Sequence, residues 1–296
     1  MRAFERAWWY HQVREWAQWI HVVAAAVIVG ALIVEGPFET HDVKVLIAYI
    51  AVLVYVLVLM LFLGYFIHSY SRKARYAESM YCVHKAVHQA KDTIAYLQEC
   101  KEKPAMYDSA RFEEMLRAVL GSLVDTFNIV TSVRNRACIK VLAGEGDEKH
   151  VRTLCRDPGS HERHHESDSG EGRRHLISKN TDFRVLLDSE KRYFLSHDLQ
   201  AYPDYRTTSL SLGAQQTAND LTYRTAMVLP IRLTSSGQPT SKPLVDVLGF
   251  LAVDANATHV YSERYDVEVT ATVADALFAL LDLWSEVDSE SQNARN

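Results

Sequence analysis

The chain has 296 residues, 48% hydrophobic and 23% charged, and its 32 Lys and Arg against 37 Asp and Glu leave a formal net charge of -5 with His neutral. That balance argues against direct DNA or RNA binding, because affinity for a phosphate backbone comes mostly from its neutralisation by Lys and Arg. The 12 Gly and 7 Pro form neither a GxxxxGK(S/T) loop nor a GxGxxG fingerprint, which removes the commonest nucleotide-hydrolysing and dinucleotide-binding sites. Cysteines 82, 100, 138 and 155 have no CxxC spacing, so a reducing compartment fits better than a disulfide framework.

Apolar residues concentrate at the amino end. Trp16 to Val34 reads as a first membrane span, with Gln18 and His21 near its start. Val45 to Ile67 is an uncharged run of 23 residues, about 35 Å as a helix, enough for a hydrocarbon core of about 30 Å. With the short acidic loop EGPFETHDVK between them, the spans predict a hairpin within residues 1–71. Arg2, Arg6 and Arg14 precede it and Arg72, Lys73 and Arg75 follow, so the positive-inside rule puts both termini in the cytoplasm. Trp8, Trp9, Trp16 and Trp19 suit the headgroup region, placing residues 3–16 at the interface. His21 either reaches back to that interface or lines a pore.

Residues 72–103 predict a helical connector. Tyr76, Met80, Val83, Val87, Ala90, Ile94 and Leu97 alternate at spacings of four and three, the stripe of a coiled coil. The alternative is a helix packing on its own soluble domain. Lys103-Pro104 ends it, and a new helix begins after Asp108 or Ser109, either able to cap it, with Phe112, Leu116, Val119, Leu120, Leu123, Val124 and Phe127 on one face.

Beyond residue 135 the period shortens to that of strands: 138–143, 150–155, 191–196, 225–233 and 245–255, rich in branched and aromatic residues. A short helix falls near Asn180–Ser189, and a closing helix over Glu263–Trp284 follows Ser262 as its cap. Residues 286–296 read as a flexible tail. The order predicts an α+β domain, an antiparallel sheet with helices segregated to its faces, over 104–285.

Three segments carry a family resemblance: NTDFRVLLDSEKRYFLSHDL, then AMVLPIRL, then VLGFLAVDA followed by a long helix with ADALFALL. Residues 109–285 resemble the GAF domain. The resemblance implies a small-molecule-sensing module with a six-stranded antiparallel sheet, a ligand between the sheet and the crossover helices, and dimerisation through the first and last helices. The chain lacks the family's cyclic-nucleotide signature and a bilin-attachment Cys, so no ligand follows from the fold.

The polar stretch 156–174 contains His161-Glu162-Arg163-His164-His165, formally HExxH. A zinc-hydrolase motif needs a helix with an apolar face, which this stretch cannot supply, so it reads as a solvated loop and no metal is assigned. The candidate ligand-binding residues are Asn180, Phe183, Asp198, Tyr205, Arg206, Tyr223 and Arg224: the arginines offer planar forks to a phosphate or carboxylate, the tyrosines a stacking surface. Pro230 and Gly249 read as backbone punctuation. No GxSxG or catalytic constellation is found; Cys138 and Cys155, on neighbouring strands, invite comparison with GAF-fold enzymes that reduce free methionine sulfoxide, but read better as small apolar side chains.

The expected protein is a sensor anchored in a bacterial-type inner membrane, a homo-oligomer through its connector and GAF helices, with no cofactor and no enzymatic activity. Its ligand is a small molecule, a cyclic nucleotide among the candidates. The chief alternative is an effector of the antiphage type, gated by a cyclic oligonucleotide, whose spans disrupt the membrane; a GAF-fold redox enzyme is the third reading.

Overall fold

The computed structural model describes residues 41–144, 146–160, 174–188, 191–208, 216–217, 219, 221–232 and 247–295. The chain divides into two compact units, Met1–Lys73 and Ala74–Asn296.

Helix α1 runs His41–Glu102. Its portion Ile50–Ile67, with a mean hydropathy of 2.8, is long and apolar enough to cross a membrane and has none of its residues buried within the chain. It is the only such segment among the described residues. The first predicted span (16–34), His21 and the interfacial residues 3–16 lie outside the described residues. The hairpin and its multi-pass topology therefore rest on sequence alone.

From Ala74 onward, α1 belongs to the second unit. Val83, Ala86, Ala90, Leu97 and Cys100 are buried, four of them in one core with the helices and strands that follow. Of the stripe predicted to form a coiled coil, Val83, Ala90 and Leu97 are buried within the chain, Tyr76, Val87 and Ile94 are half-buried, and Met80 is exposed. Tyr76 Oη donates to Asp266 at 3.0 Å and Arg75 to Ser132 at 2.9 Å, fixing the start of this stretch to the domain.

Helix α2 (Ser109–Thr131) starts where Asp108 accepts the Ala110 N–H at 2.9 Å and stops at Ser132, whose φ of 58° is left-handed. Its seven predicted apolar residues are all buried. Among the described residues eight strands follow: β1 (Asn135–Ala143), β2 (His150–Arg156), β3 (Arg174–Leu176), β4 (Phe194–Ser196), β5 (Arg206–Thr207), β6 (Gln216–Thr217), β7 (Thr225–Arg232) and β8 (Val247–Ala255). Helix α3 (Thr181–Asp188) lies in the crossover between β3 and β4, and α4 (Asp266–Arg295) closes the chain. Six strands form one antiparallel sheet, ordered β3-β2-β1-β8-β7-β4; β5 and β6 pair separately.

Strand alternation gives the sheet two apolar faces. Ile139, Met227, Leu229, Ile231, Leu251 and Val253 pack with α1, α2 and α4. Val228, Phe250 and Ala226 pack with Phe183 and Leu186 of α3 and with Leu199 and Tyr205 of the crossover. Gly249 faces Val141 on β1 and Ile231 on β7; a Cβ there would run into the Lys140 carbonyl oxygen, so only glycine lets β8 approach. Pro230 lies beyond the end of β4, whose pairing stops at Val228, so its missing N–H breaks no bond on that side.

Three expectations change. The closing helix reaches Arg295 instead of ending near 284, because Val287 and Ser291 are still buried, so the predicted tail 286–296 is helical through Arg295. The stretch 156–174 is not solvated at its ends: Asp157 and Ser160 are buried, Asp157 accepts the Ala137 N–H at 2.9 Å, and β3 supplies the sixth strand. The third predicted strand shrinks to Phe194–Ser196, since Lys191 and Arg192 are exposed. Residues 161–173, with the HExxH match, lie outside the described residues.

Candidate functional site

Between the sheet and the crossover lies a cavity of about 60 Å³, room for about four waters. Its floor is the sheet, where Ala226, Val228 and Ala252 supply small apolar side chains, and Phe183 closes one wall. The small residues make the space: Val228 faces Ala252 and Ala226 faces Asp254 across the β7–β8 ladder.

The polar lining converges from six places in the sequence. Strand β1 contributes Arg136, Cys138 and Lys140, which share a face because strand side chains repeat every two residues. Arg156 ends β2, Asp182 opens α3, Asp254 comes from β8, and Ser160, Tyr205 and Tyr223 come from the connecting segments. Lys140 is only 4% exposed and donates to Thr153 Oγ1 at 3.0 Å. Arg136 places Nε and Nη2 on one oxygen of Asp254, at 2.7 and 2.6 Å, with its guanidinium carbon 5.4 Å from the Tyr223 ring centroid. Asp182 accepts the Phe183 N–H at 2.9 Å and has the Tyr205 hydroxyl at 3.5 Å.

Burial shifts the titration of several of these groups. Burial pushes the Asp182 carboxyl up to about 6, although the Phe183 N–H and the positive Lys140 pull it down. Burial also raises Asp254, with Arg136 opposing, and lifts the Tyr205 phenol well above its ordinary value, with Asp182 adding to the rise. The Ser160 hydroxyl is buried and finds no hydrogen-bond partner among the described residues.

Three of the seven sequence candidates, Phe183, Tyr205 and Tyr223, line this cavity. The other four stand elsewhere. Asn180 is 1% exposed and pins the crossover: its amide donates to Leu176 O at 2.7 Å and to Thr208 Oγ1 at 3.0 Å, and its oxygen accepts the Thr208 N–H at 2.8 Å. Asp198 and Arg224 hold each other, with both carboxylate oxygens 3.1 Å from Nη2, so the fork expected for a ligand is engaged within the protein. Arg206 is exposed on β5, where its N–H donates to Thr181. Sequence reasoning missed Arg136, Lys140, Arg156, Ser160 and Asp182 as cavity residues. A lysine between Ile139 and Val141 in a strand covered on both faces was the available signal.

The two strand cysteines part company. Cys138 faces the cavity, opposite Ala252. Cys155 is packed in the helix-side core with its thiol toward the Glu113 carbonyl at 3.7 Å, and burial pushes that thiol far above its ordinary value.

A six-stranded antiparallel sheet, first and last helices on one face, and a crossover enclosing a cavity on the other make this a GAF-like domain. No protein-family profile and no curated protein sequence matches the chain. Among solved structures it is similar to the GAF domain of an Acinetobacter phosphoenolpyruvate-protein phosphotransferase, at 12% identity over 68% of this chain and 97% of that one, TM-score 0.39. The GAF domain of the corresponding Coxiella burnetii protein is similar at 13% identity over 69% and 98%, TM-score 0.38. A type II free methionine-R-sulfoxide reductase from Thermoplasma acidophilum is similar at 12% over 59% and 95%, TM-score 0.37.

Proposed function

We propose that the unit Ala74–Asn296 is a small-molecule sensor and that Ile50–Ile67 anchors it in a bilayer. The observation that carries the sensing reading is the cavity: three cations, two carboxylates and the Ser160 hydroxyl, which has no hydrogen-bond partner among the described residues, converge on one space, an arrangement of buried polar groups that a ligand would serve. The anchor is supported by an 18-residue apolar helix surface, Ile50–Ile67, of which nothing is buried among the described residues.

Ligand occupancy would act on the helices through the sheet they share. Strand β1 carries cavity residues on one face and Ile139 on the other, so a shift of β1 is felt by α2 and by the stretch of α1 packed beside it. The output is a partner or the membrane segment itself.

A nucleotide-gated effector fits less well, because ligand pockets for molecules of that size run to about 300–1,000 Å³ and this cavity is far smaller. A redox enzyme needs a reactive thiolate, and burial holds Cys155 as a thiol in the core. Native mass spectrometry of the full chain, purified in detergent from its own host, tests the proposal. A retained small molecule lost in Ala252→Leu is expected; identical spectra for both proteins, with no mass shift after incubation with a metabolite extract, would overturn it.

A further inference from the structure

We infer that His84 and His88 on α1 are a two-imidazole ligand pair for a borderline divalent ion such as Zn²⁺, and that the same pair from a second copy of the chain completes the ion's coordination.

The pair follows from helix geometry. Residues four apart stand on one face of a helix, and the two rings meet edge to face with their centroids 4.5 Å apart. Both side chains are exposed. The other side of α1 fixes that orientation: Val83, Ala86 and Ala90 are buried, and Gln89 accepts the Ser122 hydroxyl of α2 at 2.7 Å. The pair therefore stands on a rigid element and faces outward. Its solvent-facing rotamers can bring one nitrogen of each ring to the separation of about 3.3 Å that a tetrahedral ion with Zn–N bonds of about 2.0–2.1 Å requires.

The donors select the metal. Imidazole nitrogen suits Zn²⁺, Cu²⁺ and Ni²⁺, whereas Mg²⁺ and Ca²⁺ take oxygen. The segment reads His84-Lys85-Ala86-Val87-His88. Where a zinc hydrolase carries its glutamate base this helix has a lysine, so the ion is structural. A structural zinc site is closed by four protein ligands, and among the described residues no third His, Cys, Asp or Glu joins the two rings.

A second copy supplies the missing half. A two-fold interface sets one patch against its own counterpart, so a chelate of two histidines becomes one of four. The row that meets its counterpart is Tyr81, His84, His88 and Ala95, all exposed, at spacings of three, four and seven. Tyr81, 72% exposed, offers an apolar ring beside the ion. Lys91 stands in the same row; two copies repel there, so the apolar contact alone is weak and association waits on the metal.

The test uses the full chain in detergent, its protein mass measured by light scattering in EDTA and after addition of ZnCl₂, NiCl₂ or MgCl₂. The mass should double with zinc or nickel, stay unchanged with magnesium and return in EDTA, with one zinc per two chains by equilibrium dialysis. His84→Gln and His88→Gln should each weaken zinc binding by more than about tenfold, since even an outer-shell partner is worth about 10–100-fold, and should abolish the doubling. Replacing His161, His164 and His165 together by Gln should change neither readout. A mass that zinc leaves unchanged would overturn the shared site, as would loss of binding in that triple variant. Zinc affinity that survives His84→Gln combined with His88→Gln would overturn the pair itself.

Discussion

Asp182 shows how one position carries both stability and chemistry. Its carboxyl is raised from 3.8 to about 6, so the folded protein holds a proton that the unfolded chain has released between about pH 4 and 6. Unfolding free energy therefore falls as pH rises through that window. Asp182→Asn removes the titrating group while keeping an oxygen for the Phe183 N–H. It should flatten the dependence and stabilise the protein at pH 7.5 by on the order of 2 kcal/mol, read from urea unfolding of the full chain at a series of pH values. The aromatic part of the cavity, Phe183, Tyr205 and Tyr223, was legible in the sequence because such residues near a crossover have few other places to go. Its charged part was not. Lys140 in CIKVLA looks like an ordinary solvent-facing strand position until α3 and the crossover are known to cover that face, and Arg224 looks available until Asp198 is seen beside it.

At the scale of elements, the stretch of α1 from Ala74 to Glu102 separates what periodicity can say from what it cannot. A seam of alternating three- and four-residue spacings specifies a helix with an apolar stripe, and is silent on whether the partner is another chain or the same one. For Leu97 the packing is within the chain: it is fully buried in the core that contains Leu116 and Leu281. Leu97→Ala should cost about 2–5 kcal/mol, seen as a lower urea midpoint that does not depend on protein concentration. A seam between two chains would instead give a midpoint that rises with concentration. The same packing extends α4 beyond its predicted end, because Val287 continues an apolar face whose later members, one per turn, are too sparse to read alone.

For the whole molecule, the division at Lys73 and Ala74 sets which fragments stand alone. Residues 74–296 should purify without detergent and melt cooperatively, whereas 104–296, stripped of Ala86, Ala90 and Leu97, should expose a core face and aggregate or melt well below it; size exclusion and differential scanning calorimetry distinguish them. Deleting residues 1–73 should also move the protein from the carbonate-resistant membrane fraction to the supernatant. Retention there would sink the proposed anchor.

By itself the sequence determined the features that are local. The uncharged run from Val45 to Ile67 is long and apolar enough to cross a membrane, and the change of period near residue 135 sets an α+β domain because side-chain alternation belongs to the strand itself. It also carried the resemblance to the GAF domain, in the segments 180–199, 226–233 and 247–255 and the helix that follows them. Only the tertiary structure decided which face of α1 is buried, which of seven polar or aromatic candidates reach a common space, and that Arg136, Lys140, Arg156, Asp182 and Asp254 meet there. A side chain's environment is set by the layer that covers it, and that layer comes from residues up to a hundred or more positions away, as Arg136 and Asp254 show.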